Sequence, residues 1–316
     1  MINSPLVSIL IPVYQREKYI GEAIDAALSQ TYENIEVIIV DNASHDNTWR
    51  ICQDYSKKDN RIKIYKNDSN LGPVENWKKC FEYATGFYAK ILWSDDKIDP
   101  TYISKALPLM ASGDVGMVFS SVIIGRNYNK EEYQSYCYGV TGLYPSTNFI
   151  DELLYGNNLP VSPGCAILRL NDLRSNLILD IKSPSFSDFS KHGAGPDLLL
   201  MLLTIAKYPK VGFVNEPLSF FRDHNDSITV SMRSVDLMER YQQAKLWFAE
   251  RYYSEKQFSD FISYIWVERS IALRRITSRQ EVAERFGSYS VKPSYFKGLI
   301  VFLNLVSKKV KKRLWN

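Results

Sequence analysis

The sequence predicts an α/β fold: a mostly parallel, Rossmann-like sheet flanked by helices, followed by a helical C-terminal extension. Three observations carry this expectation. Over the first hundred residues, short apolar runs alternate four times with stretches of helical periodicity, and strands that are apolar throughout belong in sheets covered on both faces. Three of the runs end in polar clusters, Tyr14-Gln15-Arg16, Asp41-Asn42-Ala43-Ser44 and Ser94-Asp95-Asp96. A parallel sheet gathers such ends along the edge where ligands bind. Beyond Asp226, no Gly or Pro punctuates the chain until Gly287.

The elements follow in order. Leu6–Tyr14 (LVSILIPVY) is a β-branched apolar run and reads as the first strand. In residues 17–30, Ile20, Ile24, Ala27 and Leu28 share one helical face. Ile35–Val40 is a continuous buried strand, and Asp46-Asn47-Thr48 supplies start signals for a helix through Tyr55. Arg61–Tyr65 is a third strand. Residues 73–85 form a helix opened by Gly72-Pro73 and closed at Gly86. Phe87–Trp93 is the fourth strand. The crossovers are expected to be right-handed.

The pattern from 101 to 225 is less regular. Asp114–Ser120 reads as a strand, residues 125–145 as a polar, aromatic loop or hairpin, and Val161–Leu170 as a strand entered through a Pro-Gly turn. The Ser/Gly/Pro-rich stretch 183–196 reads as a mobile loop, and Asp197–Tyr208 as a strongly apolar helix with Asp197 at its positive end.

The 316 residues are 45% hydrophobic and 23% charged, enough for a large core. Cys52, Cys80, Cys137 and Cys165 form no C-x-x-C pair and no metal-ligand spacing. Met1 leads almost directly into a strand, so no targeting segment is expected, and the cysteines read as free thiols in the cytoplasm. The net charge is +4, yet eight basic residues and no acidic one follow Glu284, which leaves residues 1–284 at −4. That body is not built for nucleic acid.

Two features carry chemistry. Asp41 opens the loop DNASHDNT at a strand end; Asp46 or Asn47 explains the following helix start, but neither explains Asp41. Asp95 and Asp96 are adjacent like charges, which repel without a counter-charge. The pair equally suits a polar turn. In extended chain the two side chains face opposite ways, so one can reach a sugar hydroxyl while the other ligates Mg²⁺ or Mn²⁺, ions held by one or two carboxylates plus phosphate oxygens.

VSILIPVY, VIIVDNASHDNT and NLGPVENWKKCFEYATGFYAKILWSDDKIDP together resemble the nucleotide-sugar-binding half of a family 2, GT-A-fold glycosyltransferase over residues 6–110. Weaker resemblance continues through VSPGCAILRL and GPDLLLMLLTIAKYPKVGFVNEPLSFFRDHNDSIT to about residue 229. The resemblance implies a GT-A domain over 1–229, with a nucleotide-sugar half (1–110) and an acceptor half (111–229), and a helical region over 230–316. It implies that Pro12 and Tyr14 line the base and ribose pocket, that Asp41 accepts the uracil or thymine ring NH, and that Asp95 lies near the ribose. Asp96 matches the metal-binding carboxylate, and Asn70 and Gly72 match a segment closing over the nucleotide. Arg222 and His224 match an R-x-H element near the diphosphate and metal, and Asp197 falls where the family places its general base. Two positions depart from the family. Trp93 stands where a carboxylate is common, and Pro196 precedes Asp197 where the family often has Glu. As a plain helix cap, Asp197 also has a structural reading.

The implied activity is inverting, metal-dependent transfer of a sugar from a UDP- or dTDP-sugar to a saccharide or lipid-linked acceptor in surface polysaccharide synthesis, with Mn²⁺ or Mg²⁺ as cofactor. The stretch 183–196 would act as a lid, with His192 near the acceptor. His45, in a polar loop, reads as surface. A nucleotide-binding scaffold protein that has lost catalysis is the alternative. A nucleotidyltransferase would need a Gly-rich, basic first loop in place of PVYQREK.

Residues 297–316 (KGLIVFLNLVSKKVKKRLWN) place Leu299, Phe302, Leu303, Val306, Val310 and Leu314 on one helical stripe beside five basic residues at 308–313. The run is too short to span a bilayer. It predicts peripheral contact with an anionic membrane surface, on the inner face of the cell membrane. Docking of the stripe on the protein itself is the other reading.

Overall fold

The computed structural model describes the chain except residues 1–3, 127–133, 157–158, 180, 182–188, 225–233, 288–290 and 315–316. It divides into two compact units, Met1–Ile178 with Ser190–Val230, and Leu179–Phe189 with Ser231–Asn316.

The first unit begins with β1 (Val7–Val13), α1 (Ile20–Leu28), β2 (Ile35–Asp41), α2 (Thr48–Ser56), β3 (Ile62–Lys66), α3 (Pro73–Tyr83) and β4 (Tyr88–Ile91). It continues with β5 (Lys97–Ile98), α4 (Tyr102–Met110), β6 (Val115–Gly125), β7 (Gln134–Ser135), β8 (Gly142–Pro145) and α5 (Ser146–Tyr155). β9 (Ala166–Arg169), α6 (Leu170–Asn176), α7 (Pro196–Ala206) and β10 (Lys210–Arg222) complete it. The sheet order is β3-β2-β1-β4-β9-β6-β10-β5, with β7 added to β6 and β8 to β10. β1 is parallel to β2 and β4, and β2 is parallel to β3. Every residue of β1 and β2 is buried, as their unbroken apolar runs require.

Past β4 the sheet is mixed. β9 runs antiparallel to both β4 and β6, and β10 runs parallel to β6. The strand expected over Val161–Leu170 is shorter than that run: Pro163–Cys165 is a 3-10 turn and only Ala166–Arg169 pairs. The strand expected over Phe87–Trp93 also stops early, at Ile91. Trp93 to Asp96 is a turn closed by the Asp96 N–H donating to the Trp93 carbonyl at 3.0 Å. Asp95 and Asp96 therefore diverge within a turn, and the alternation of an extended strand does not apply to them. Of the stretch expected to be a mobile loop, 183–196, residues 183–188 lie outside the described residues; the rest holds a 3-10 turn, Phe189–Lys191, and runs into α7 at Pro196. The four cysteines are free, with Cys52, Cys80 and Cys165 buried.

The second unit contains α8 (Ser234–Tyr252), α9 (Glu255–Ala272), α10 (Arg279–Phe286) and α11 (Tyr295–Leu314). The long Gly/Pro-free stretch is broken twice by serine. Ser254 and Ser278 each form a capping box, with Gln257 and Glu281 respectively, which satisfies the first free N–H groups of the next helix. Inside, Glu239 is 1% exposed and binds Arg269 and Arg285. α11 lies against α9: a Cβ on Gly298 would meet the Ser263 carbonyl, Ser294 N–H donates to Ser263 Oγ at 3.0 Å, and the Tyr295 ring meets Trp266 edge-on at 5.5 Å. The predicted apolar stripe is thus divided. Phe302 is half-buried, while Leu299, Leu303 and Val306 are exposed together with Phe296 (71%) and Ile300.

Candidate active site

The carboxyl ends of β1, β2 and β4 lie side by side, because β1 pairs with both of the others. Pro12 sits inside β1 opposite Val40, and the half-buried Tyr14 follows, its hydroxyl accepting from Gln15 Nε2 at 2.9 Å. The turns after β1 and β2 each hold a non-glycine residue at positive φ, Gln15 (50°) and Ala43 (63°), a conformation that carries strain and collects at functional sites. The Gln15 N–H donates to Ser44 Oγ at 2.9 Å, tying one turn to the other.

Asp41 is fully buried at the end of β2. Its carboxylate accepts from the Ser44 hydroxyl and N–H, and the Lys66 ammonium stands 3.6 Å away. Next to it, Asn42 organises the loop 67–72. Its amide donates to Asn70 Oδ1 (2.8 Å) and the Gly72 carbonyl (3.1 Å), and its carbonyl accepts from Asn67 Nδ2 and the Leu71 N–H. Asn70 also accepts the Gly72 N–H at 2.9 Å. Gly72 has φ 83°, which only glycine adopts without strain. Asn70 and Gly72 therefore shape a loop anchored beside Asp41.

The Asp95–Asp96 turn is held from two sides. Asp95 Oδ2 meets Arg16 Nε at 3.2 Å and His224 Nε2 at 2.9 Å. β10 runs antiparallel past β5, Ser219 opposite Ile98, and this delivers Arg222. The Arg222 N–H donates to Asp96 Oδ1 at 2.8 Å, and its Nε donates to the Asp95 carbonyl at 2.9 Å. Its Nη2 pairs with Glu22 Oε2 at 2.9 Å, and the guanidinium lies over Tyr19 at 4.8 Å. Burial, then the neighbouring Asp95, pushes the Asp96 carboxyl well above the usual carboxylate range. On β4, Lys90 is fully buried: its Nζ donates to the Gly164 and Ile91 carbonyls and lies 4.6 Å from the Tyr102 ring centroid. Burial pulls its ammonium down to about 8.

Asp197 is in the first turn of α7 and 7% exposed. Its Oδ1 accepts the N–H groups of Gly195 (2.8 Å) and Leu198 (2.7 Å). Tyr136 feels the charge of both Asp197 and Asp96. The ring of Tyr136 stands edge-on to Phe221 at 6.3 Å, and its hydroxyl is raised by burial first, then by Cys165, Asp197 and Asp96. Both aspartates therefore act on one phenol. His45 is exposed and His192 half-buried.

The donor chemistry suits a hard divalent cation. Asp96 is a buried carboxylate whose charge is disfavoured by its surroundings, which a cation reverses. His224 uses Nε2 on Asp95, while its buried Nδ1 has no hydrogen-bond partner among the described residues. A neutral imidazole donating from Nε2 presents a lone pair on Nδ1, the arrangement of a carboxylate-oriented ligand histidine. Among the described residues no group of three or more His, Cys, Asp or Glu side chains converges, so further ligands would come from substrate oxygens and water.

Sequence reasoning passed over Arg16, Asn42, Ser44, Lys90, Glu22 and Tyr136. Arg16 and Asn42 sat within polar strand ends already marked as significant. Lys90 carried a signal of its own, a lone lysine within the apolar run Tyr88–Leu92, because a buried cation needs carbonyls or an anion nearby.

The family model described as "Glycosyl transferase family 2" matches residues 8–176. Glycosyltransferase GlyG of Streptococcus pneumoniae serotype 4 is 32% identical over 140 residues, 44% of this chain and 45% of GlyG. The Escherichia coli UDP-Glc:alpha-D-GlcNAc-diphosphoundecaprenol beta-1,3-glucosyltransferase WfaP is 30% identical over 230 residues, 72% of this chain and 80% of WfaP. GlyG and two Haemophilus influenzae glycosyltransferases are matched over less than half of their own length, 45%, 35% and 46%. Among solved structures, S. aureus TarS 1-349 in complex with UDP-GlcNAc superposes with a TM-score of 0.66 at 17% identity, covering 88% of this chain and 74% of TarS 1-349. The mannosyltransferase PcManGT of Pyrobaculum calidifontis, in complex with GDP-Man and Mn²⁺, superposes at 0.56 with 15% identity, covering 98% and 83%. At these identities the superpositions establish a shared GT-A fold.

Proposed function

The chain belongs to glycosyltransferase family 2, and on that footing we propose that it transfers a sugar, with inversion, from a UDP- or dTDP-sugar to a saccharide or lipid-linked acceptor in surface polysaccharide synthesis. The observation that carries this reading is the Asp95–Asp96 turn clamped by Arg16, Arg222 and His224, with only β1 between its strand and the one that ends at the buried Asp41. Residues 1–229 form the transferase domain in this account, and 230–316 the helical region.

Pro12 and Tyr14 line the base and ribose, and Asp41 accepts the ring NH of uracil or thymine. Asp95, oriented by Arg16 and His224, faces the ribose. The loop carrying Asn70 and Gly72 closes over the nucleotide, and Arg222 fixes the turn that receives the diphosphate. Asp197 takes the proton of the attacking hydroxyl from the side of the sugar opposite the leaving group, which makes a single displacement and inverts the anomeric carbon. Asp96 and His224 would hold Mg²⁺ or Mn²⁺, which would supply charge neutralisation for the diphosphate leaving group. The named complexes of TarS with UDP-GlcNAc and of PcManGT with GDP-Man and Mn²⁺ support a nucleotide-sugar donor and a divalent ion. The name of WfaP, with UDP-Glc and a diphosphoundecaprenol acceptor, supports a uridine donor and a lipid-linked acceptor.

Among the described residues no helix is long and apolar enough to cross a membrane. Peripheral attachment rests on α11, whose exposed face carries Phe296, Leu299, Ile300, Leu303 and Val306 on a helix that has basic but no acidic residues.

Thermal melts with UDP-glucose, UDP-GlcNAc, dTDP-glucose and GDP-mannose, each with and without Mn²⁺, test the donor reading by mass action. Stabilisation by a uridine or thymidine donor that requires Mn²⁺ is expected. Stabilisation by GDP-mannose alone, or by none of the four, contradicts it.

A further inference from the structure

Trp93 follows the end of β4 and leads into the Asp95–Asp96 turn, and its surroundings are shaped around it. Its carbonyl closes the turn that holds Asp96, so the indole is fixed to the carboxylate assigned to the diphosphate side. Its Nε1 donates to Ser162 Oγ at 2.9 Å, and the same Oγ accepts the Gly164 N–H at 3.2 Å. Its ring packs on Trp77 at 5.0 Å with a 45° tilt. Trp77 is 6% exposed and serves as backing, whereas Trp93 keeps part of its surface open.

Two glycines leave room for these indoles. A Cβ on Gly164 would stand 2.5 Å from Trp93 Nε1, and one on Gly193 would stand 2.8 Å from two Trp77 ring carbons. Neither glycine has the positive φ that would by itself require glycine. Gly193 also connects the pair to the other end of the site, because its carbonyl accepts the Asp197 N–H at 3.2 Å. The two indoles therefore run from the Asp96 turn to the start of the helix that bears Asp197.

Resting on the donor reading above, we propose that Trp93, backed by Trp77, is the wall against which the transferred sugar lies, and that it selects a neutral pyranose. A sugar displaced between a diphosphate at Asp96 and a base at Asp197 must lie along that span. An aromatic face, negative at its centre, attracts the weakly positive C–H face of a pyranose and excludes water from it. A carboxylate on the sugar would gain nothing from the indole and would lose hydration against it, and the nearest side-chain cations, Arg16 and Arg222, are already paired with Asp95 and Glu22.

Calorimetric titration of UDP, UDP-glucose, UDP-GlcNAc and UDP-glucuronate, in Mn²⁺, into wild-type protein, Trp93→Leu and Trp93→Phe tests this. The readout is the ratio of the UDP dissociation constant to that of each UDP-sugar. In Trp93→Leu, UDP binding stays within about twofold and the ratio for both neutral sugars falls about tenfold, while Trp93→Phe, which keeps an aromatic face, holds it within about threefold. UDP-glucuronate binds wild type more weakly than either neutral sugar. Ratios unchanged in Trp93→Leu, or an equal weakening of UDP and its sugars, overturn the proposal and leave Trp93 as support for the Asp96 turn. If wild-type protein binds no UDP, the uridine donor reading fails and the wall fails with it.

Discussion

The backbone N–H of Arg222 donates to Asp96 Oδ1 at 2.8 Å although 126 residues separate the two. One end of β10 thereby closes the site that the turn after β4 opens. The side chain of Arg222 adds bonds to the Asp95 carbonyl and Glu22 and lies on Tyr19, so a planar, forked cation is needed there. Arg222→Lys keeps the backbone bond and loses the fork. Its kcat is expected to fall about 10- to 100-fold, with a melting temperature close to that of wild type. Steady-state kinetics alongside thermal melts check this.

Lys90 gives the stability a defined pH dependence. Its folded value is drawn down by burial from 10.5 to about 8, so between these values the unfolded chain binds more protons. Stability from this group therefore rises with pH across the window, and the cost of the buried charge is fully present below it. The stability of wild type relative to Lys90→Met is expected to increase by on the order of 2–3 kcal/mol from pH 8 to pH 10.5. Urea titrations of both proteins at several pH values measure it.

Asn42 makes four side-chain hydrogen bonds to the loop 67–72. Asn42→Asp keeps the acceptor and loses both donors. It is expected to destabilise the protein by about 1–3 kcal/mol, and to raise the donor KM more than it lowers kcat, since this loop is assigned to the nucleotide. Chemical denaturation and donor kinetics read the two effects separately.

The two sides of α11 have different tasks and respond differently. Gly298→Val forces a Cβ onto the Ser263 carbonyl and is expected to cost about 1–3 kcal/mol. Leu303→Asp alters an exposed position and is expected to leave stability within about 0.5 kcal/mol. It should, however, reduce sedimentation with vesicles containing anionic lipid. Equal vesicle binding by wild type and Leu303→Asp would remove the membrane role of this face.

The parallel half of the sheet was legible because β1 and β2 are buried along their whole length, which leaves an unbroken apolar record. The antiparallel additions were not. β9 was expected within Val161–Leu170, but its four residues gave no sign of their direction, and the two residues of β7 are too few to show a period. The helical breaks at Ser254 and Ser278 were present in the sequence as S-x-x-Q and S-x-x-E, a signal eclipsed by the search for Gly and Pro. In the site, each strand-end carboxylate was visible singly. Its partners were not, because Arg16 and Asp95 are 79 residues apart, and Arg222 and Glu22 are 200 apart; only the sheet order joins them. Trp93 was visible as a departure from its family, but the two glycines that make room for the indoles become meaningful only once the distances are known.

The central claim is tested most directly by UDP release from a UDP-sugar by purified protein with Mn²⁺ and acceptor, comparing wild type with Asp96→Ala. Mn²⁺-dependent release by wild type, reduced about a hundredfold or more in Asp96→Ala, is the predicted result. Undiminished release by Asp96→Ala would contradict the assignment of Asp96, and no release by wild type from any UDP- or dTDP-sugar would contradict the function itself.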